Sequence, residues 1–146
     1  MRIVLATALE SADLTPSDQL YADALERRGC NVSAAPWDGP RAAFDGADAV
    51  VIRATWGYYR TLEAFRDWTE TTARASRLFN SIDLVRWNLR KDYVEKLAAA
   101  GVRVPRSFVV PCETSAIGHV FDETGWAQAV VKPASAPTEI TLAAQF

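Results

Sequence analysis

Two lysines stand in settings suited to an anionic ligand. Lys91 opens a predicted helix in Trp87-Asn88-Leu89-Arg90-Lys91, and that helix exits through Ala100-Gly101-Val102-Arg103-Val104-Pro105. Lys132 ends the apolar run Ala129-Val130-Val131 and is followed at once by Pro133. An ammonium on a long stem is a compact point charge suited to polyphosphate. Leu89, Tyr93, Leu97 and Ala100 share the apolar face of the first helix, which places Lys91 off the core. Three residues that read as buried precede Lys132, so its charge requires an anion or a carboxylate close by. Taken singly, each lysine has a plainer reading: helix lysines are mostly solvated, and prolines often end strands. Arg53 and Trp56 lie at the end of the run Val50-Val51-Ile52 and in the loop after it. Arginine can grip a substrate carboxylate bidentately, and tryptophan can wall a pocket. The alternative is a structural ion pair for Arg53 and packing roles for Trp56, Tyr58 and Tyr59. The sequence leaves both open.

The elements that position these groups alternate. Arg2–Thr7 is short, apolar and rich in β-branched residues, the pattern of a buried strand. Thr15-Pro16-Ser17-Asp18 opens a helix, with Thr15 as cap, Pro16 in the first turn and Asp18 complementing the N-terminus. Leu20 and Ala24 share one face of that helix, Leu25 lies beside them, and Gly29 stops it. Cys30–Ala35 and Asp48–Ala54 read as further strands, with a helical turn around Ala42–Phe44 between them. Thr61 can cap a helix bearing Leu62, Phe65, Trp68 and Thr72, and Arg77–Phe79 reads as a fourth strand. Such alternation predicts a parallel α/β sheet with right-handed crossovers, whose ligands bind beyond the carboxyl ends of the strands. No G-x-G-x-x-G follows the first strand, which argues against a dinucleotide site there. Beyond Asn80 the pattern predicts a helical linker over Ser81–Arg86 and a helix over Asn88–Ala100. A strand over Arg106–Val110, a polar helix or loop over Glu113–Thr124 and a strand over Ala127–Lys132 follow.

Composition narrows the function classes. The chain has 146 residues, 49% hydrophobic and 23% charged, an ordinary globular balance. A net charge of −2 gives no general pull toward nucleic acid or an anionic membrane. Two cysteines, Cys30 and Cys112, and the single His119 form no metal or disulfide motif. No apolar stretch is long enough to span a bilayer, and a cytoplasmic protein is expected. Oligomeric state is open, with a homodimer among the options.

The two lysine segments, in this order behind an α/β domain, resemble the ATP-grasp superfamily. The segment Val50-Val51-Ile52-Arg53-Ala54-Thr55-Trp56-Gly57-Tyr58-Tyr59-Arg60 is similar to a strand and loop of its glutathione-synthetase-like and RimK-like ligases, a subgroup that includes a cycloserine-ring-forming enzyme. Phe79-Asn80-Ser81 with Val85-Arg86-Trp87-Asn88 looks like the same subgroup's bridge between domains. The resemblance implies a Rossmann-like pre-ATP-grasp domain over 1–82 and the first, incomplete α+β lobe of the nucleotide fold over 83–146. It implies ATP with Mg2+, nucleotide contacts from Lys91 and Lys132, and ligation of a small-molecule carboxylate to an amine through an acyl phosphate. Arg53 and Trp56 would then serve the substrate.

The pattern also departs from the family. The loop after Pro133, Ala134-Ser135-Ala136-Pro137-Thr138, has no glycine, although Ser135 can still donate to phosphate. The acidic and amide ligands for magnesium that the family places further along are not found before Phe146. The expectation is therefore an N-terminal portion, inactive as it stands, whose tail after Pro133 lacks strand neighbours. Two other readings are a stand-alone α/β binding or interaction module using exposed strand edges, and a receiver-like or flavodoxin-like domain. The first loop lacks the acidic pair or hydroxyl-rich phosphate loop that the last would require.

Overall fold

The computed structural model describes residues 1–89, 93–134 and 139–144. The chain divides into two compact units, Met1–Val85 and Arg86–Phe146. The expected α/β class is what is observed.

In the first unit, β1 (Arg2–Thr7), α1 (Pro16–Glu26), β2 (Asn31–Pro36) and β3 (Ala49–Ile52) are followed by α2 (Leu62–Ala75) and β4 (Arg77–Phe79). Short 3-10 turns occupy Arg41–Phe44 and Tyr58–Arg60. The four strands are parallel in the order β2-β1-β3-β4. The chain therefore steps one way from β1 to β2 and the other way from β3 to β4. Right-handed crossovers then put α1 and α2 on opposite faces. On the α1 face, Ile3, Leu5 and Ala49 pack with Ala22, and Leu25, Val32 and Val51 join them. The other face carries an aromatic layer: Phe65 and Trp68 of α2 meet Trp37, and Phe44 meets Trp68 at 5.3 Å. Covered on both faces, β1 is almost wholly apolar and buried, as its sequence requires.

Thr15 caps α1 as expected, its Oγ1 accepting the Asp18 backbone N–H at 3.1 Å. Two expectations are corrected. The buried face of α1 is Asp18 and Ala22, with Leu25 partly buried, whereas Leu20 is 70% exposed. The i, i+4 pair Leu20 and Ala24 is a second stripe, and the sheet contacts the other one. Thr61 precedes α2 but makes no side-chain cap bond. The expected burial of Phe65, Trp68 and Thr72 holds.

After β4, α3 (Ile82–Asn88) leads toward the second unit. There, α4 (Tyr93–Ala99), β5 (Ser107–Pro111), α5 (Thr114–Thr124), β6 (Ala129–Pro133) and β7 (Glu139–Ala144) build an antiparallel sheet ordered β5-β7-β6. One face packs Phe108, Val110 and Leu142 against Ile117 and Val120 of α5, with Trp126 beside them. The tail does not lack strand neighbours: β7 is the central strand. Val130 and Val131 are not buried either, at 41% and 54% exposed, because β6 is an edge strand.

Candidate functional site

The sequence-derived residues fall in two places, one in each unit. In the first unit, Arg53 follows β3 directly, and its backbone N–H donates to the Ala6 carbonyl at 3.2 Å. Its side chain turns to α1. Nε donates to Asp18 Oδ1 at 2.7 Å, and Nη2 lies 2.6 Å from the same oxygen. The guanidinium also sits 5.3 Å over the Tyr21 ring. Asp18 is almost fully buried, and Thr15 Oγ1 donates to its second oxygen at 2.8 Å. One carboxylate thus joins a helix cap to the end of β3. Among the described residues, Nη1 of Arg53 has no hydrogen-bond partner, so one donor edge stays open at the carboxyl end of the sheet.

Trp56 is 60% exposed, and its carbonyl accepts Trp37 Nε1 at 3.3 Å. Gly57, at φ +72°, turns the loop. Glu10 from the loop after β1 pairs with Arg60 at 3.0 Å, and Arg60 stacks on Tyr59. Tyr59, and then Glu10, hold the Arg60 guanidinium above its ordinary pKa. Trp56, Tyr59, Glu10 and Arg60 therefore form an exposed amphipathic rim where a parallel sheet offers its ligand crevice. The sequence pointed to Arg53 and Trp56. The link from Arg53 to Asp18 spans 35 positions, and no local signal announces it.

In the second unit, the free face of the sheet and α4 enclose a cleft of about 350 Å³. Tyr93 and Val94 of α4 line it, with Val130, Lys132, Thr141 and Pro105. Lys132 and Thr141 are directly paired across β6 and β7, so their side chains point to the same side. Lys132 is exposed and has no carboxylate partner among the described residues. Thr141 is 7% exposed, and its Oγ1 is buried without a hydrogen-bond partner among the described residues. A buried hydroxyl without a partner costs free energy that a ligand acceptor or donor can return. Cation, hydroxyl, aromatic ring and aliphatic wall together fit a nucleotide: ring against apolar surface, phosphate against ammonium. Lys91 and Ser135 lie outside the described residues. Among the described residues no group of three or more His, Cys, Asp or Glu could hold a metal ion, so they offer no magnesium shell.

The fold is shared with ATP-grasp proteins of known structure. A RimK-domain ATP-grasp protein from Sphaerobacter thermophilus superimposes with a TM-score of 0.74 at 15% identity, covering 100% of this chain and 64% of that one. Residues 3–80 match the family described as the N-terminal domain of the D-cycloserine synthetase DcsG, and the chain belongs to that family. The crystal structure of D-cycloserine synthetase DcsG superimposes with a TM-score of 0.85 at 21% identity, over 99% of this chain and 59% of that one. The cycloserine biosynthesis protein DcsG of Streptomyces lavendulae is 31% identical over 94 residues, 64% of this chain and 31% of the relative. The chain thus spans less than two thirds of the length of each of these relatives.

Proposed function

We propose that this chain supplies the N-terminal portion of an ATP-dependent carboxylate–amine ligase. The observation that carries the reading is the cleft in which Lys132 and the Thr141 hydroxyl, partnerless among the described residues, stand side by side near Tyr93. ATP is the ligand proposed for it, with Lys132 on the phosphates and Thr141 on a polar edge of the nucleotide. By the family resemblance, Lys91 adds a phosphate contact, and the Ser135 hydroxyl is proposed to donate another. In the whole ligase the γ-phosphoryl group passes to a substrate carboxylate oxygen and ADP leaves. An amine then displaces phosphate from the acyl phosphate and forms the C–N bond. The open Nη1 of Arg53 and the exposed ring of Trp56 are proposed to receive the small-molecule substrate. Mg2+ belongs to the reaction as the resemblance implies it. No helix among the described residues is long and apolar enough to cross a membrane. A cytoplasmic location is proposed.

Calorimetric titration of ATP into the chain and into Lys132→Ala tests the reading. Binding that weakens at least about tenfold in the variant supports it, the loss expected when one charge-assisted phosphate contact is removed. Equal affinity in both proteins, or no binding by either, refutes the assignment of this cleft.

A further inference from the structure

The segment that leaves the carboxyl end of β3 carries two groups whose bonding capacity the fold does not use. A guanidinium has a side edge, Nε with Nη2, and an end edge, Nη1 with the outer hydrogen of Nη2. Asp18 takes the side edge of Arg53 through one oxygen, at 2.7 and 2.6 Å. That carboxylate is itself held, because Asp18 is 4% exposed and its other oxygen accepts from Thr15 Oγ1 at 2.8 Å. The Tyr21 ring covers one face of the guanidinium at 5.3 Å. The end edge is therefore fixed in direction and, among the described residues, has no acceptor. Carboxylates of the neighbouring loops are engaged elsewhere: Glu10 pairs with Arg60, and Asp38 Oδ1 accepts the Leu9 backbone N–H at 2.8 Å.

Thr55 follows two positions later, at a tight turn in which the Trp56 N–H donates to the Ala54 carbonyl at 2.9 Å. Thr55 is 9% exposed, and its Oγ1 makes no hydrogen bond among the described residues yet is reachable from solvent. A hydroxyl enclosed on nearly every side but open at its oxygen keeps a direction for a partner from outside. A parallel sheet receives its ligands at this end. A fixed cationic edge with a hydroxyl donor on the same short segment, and no unpaired carboxylate beside them, complements a small planar anion and disfavours an ammonium. We propose that Thr55 is a further ligand-contacting residue of this site and Asp18 its positioning residue, and that the group they receive is a carboxylate of the substrate. The proposal rests on the reading that this end of the sheet holds the substrate. It makes no use of the cleft around Lys132.

Titration of acetate into the full chain tests this, followed by nitrogen-edited NMR at Arg53 Nε and the Thr55 and Trp56 amides, with chloride at equal ionic strength as the control. The native chain should show saturable shifts with acetate that chloride does not produce. Thr55→Val keeps the shape and removes the hydroxyl, so it should bind acetate about five- to tenfold more weakly, and Thr55→Ser should restore native binding. Asp18→Asn separates position from charge. Loss of a nearby negative charge would by Coulomb attraction alone tighten acetate binding, whereas release of the guanidinium should weaken it by at least about threefold. The dispersed spectrum of each variant shows that it is folded. Acetate shifts no larger than those of chloride, or native affinity in Thr55→Val, overturn the proposal, and equal or tighter binding in Asp18→Asn overturns the role of Asp18. Acetate carries no nucleotide, so a chain that binds ATP but not acetate refutes this site alone, and one that binds acetate but not ATP refutes the Lys132 cleft alone.

Discussion

Arg53 directs both Nε and Nη2 at a single oxygen of Asp18, at 2.7 and 2.6 Å, and that carboxylate is almost completely buried. Its other oxygen accepts from the capping residue Thr15. The pair thus ties the N-terminus of α1 to the strand end that carries the proposed substrate donor. Arg53→Ala leaves a buried carboxylate without its cation, which costs about 2–4 kcal/mol of stability. Chemical denaturation of Arg53→Ala and of Asp18→Asn checks this, with the asparagine variant losing less because it keeps the hydrogen bond to Thr15. An Arg53→Ala chain as stable as the native one would show that the arginine serves only a ligand.

Gly57 sits at φ +72°, and a Cβ placed there meets Glu10 Oε1 at 3.2 Å. Backbone handedness alone makes Gly57→Ala cost roughly 1–2 kcal/mol. The flexible end of Glu10 can yield, so the contact adds little. Glu10→Gln should be nearly silent, because the pair with Arg60 is exposed and such pairs are worth about 0–1 kcal/mol. Comparing the two melting temperatures separates backbone strain from charge.

Trp68 lies at the centre of the aromatic layer, 2% exposed, with Phe65 at 5.6 Å and Phe44 at 5.3 Å. Its indole N–H is buried without a partner among the described residues. Removing the side chain in Trp68→Ala should cost about 3–5 kcal/mol through lost burial and the cavity left behind. Trp68→Phe should cost far less than that, because it keeps much of the apolar bulk and removes an unsatisfied donor. Equal losses for both variants, measured by denaturant midpoint, would show that the indole itself is required.

Local signals carried the first unit well. Thr15-Pro16 fixed the start of α1, and Arg77–Phe79 was bounded tightly enough to be read as β4. The buried stripe of α1 was not legible. Leu20 and Ala24 have the right spacing for a core face, and only the position of the sheet decides for Asp18 and Ala22. A buried aspartate is readable only once its arginine, 35 positions away, is known. In the second unit, Glu139-Ile140-Thr141-Leu142 alternates with period two, a strand signal. Its place between β5 and β6 is a long-range pairing that no local pattern specifies. Lys132 stood out in its own segment, although the burial expected before it is not found, whereas Thr141 joins it in the cleft only through the β6–β7 register.

That register yields the sharpest separation between structure and ligand binding. Thr141 Oγ1 is buried and satisfied by nothing among the described residues, so Thr141→Val exchanges an unpaired hydroxyl for a methyl of similar shape. The free protein should be unchanged or gain up to about 1 kcal/mol, because a penalty disappears and volume is kept. If the hydroxyl bonds the nucleotide, the same variant should bind ATP about five- to tenfold more weakly, the worth of one hydrogen bond. Thermal melts with and without ATP read both quantities on one sample, since ligand raises stability by mass action. A variant stabilised alone but less stabilised by ATP than the native chain places the hydroxyl on the ligand. Equal ATP shifts would leave Thr141 as a packing residue and put the recognition on Lys132 and Tyr93.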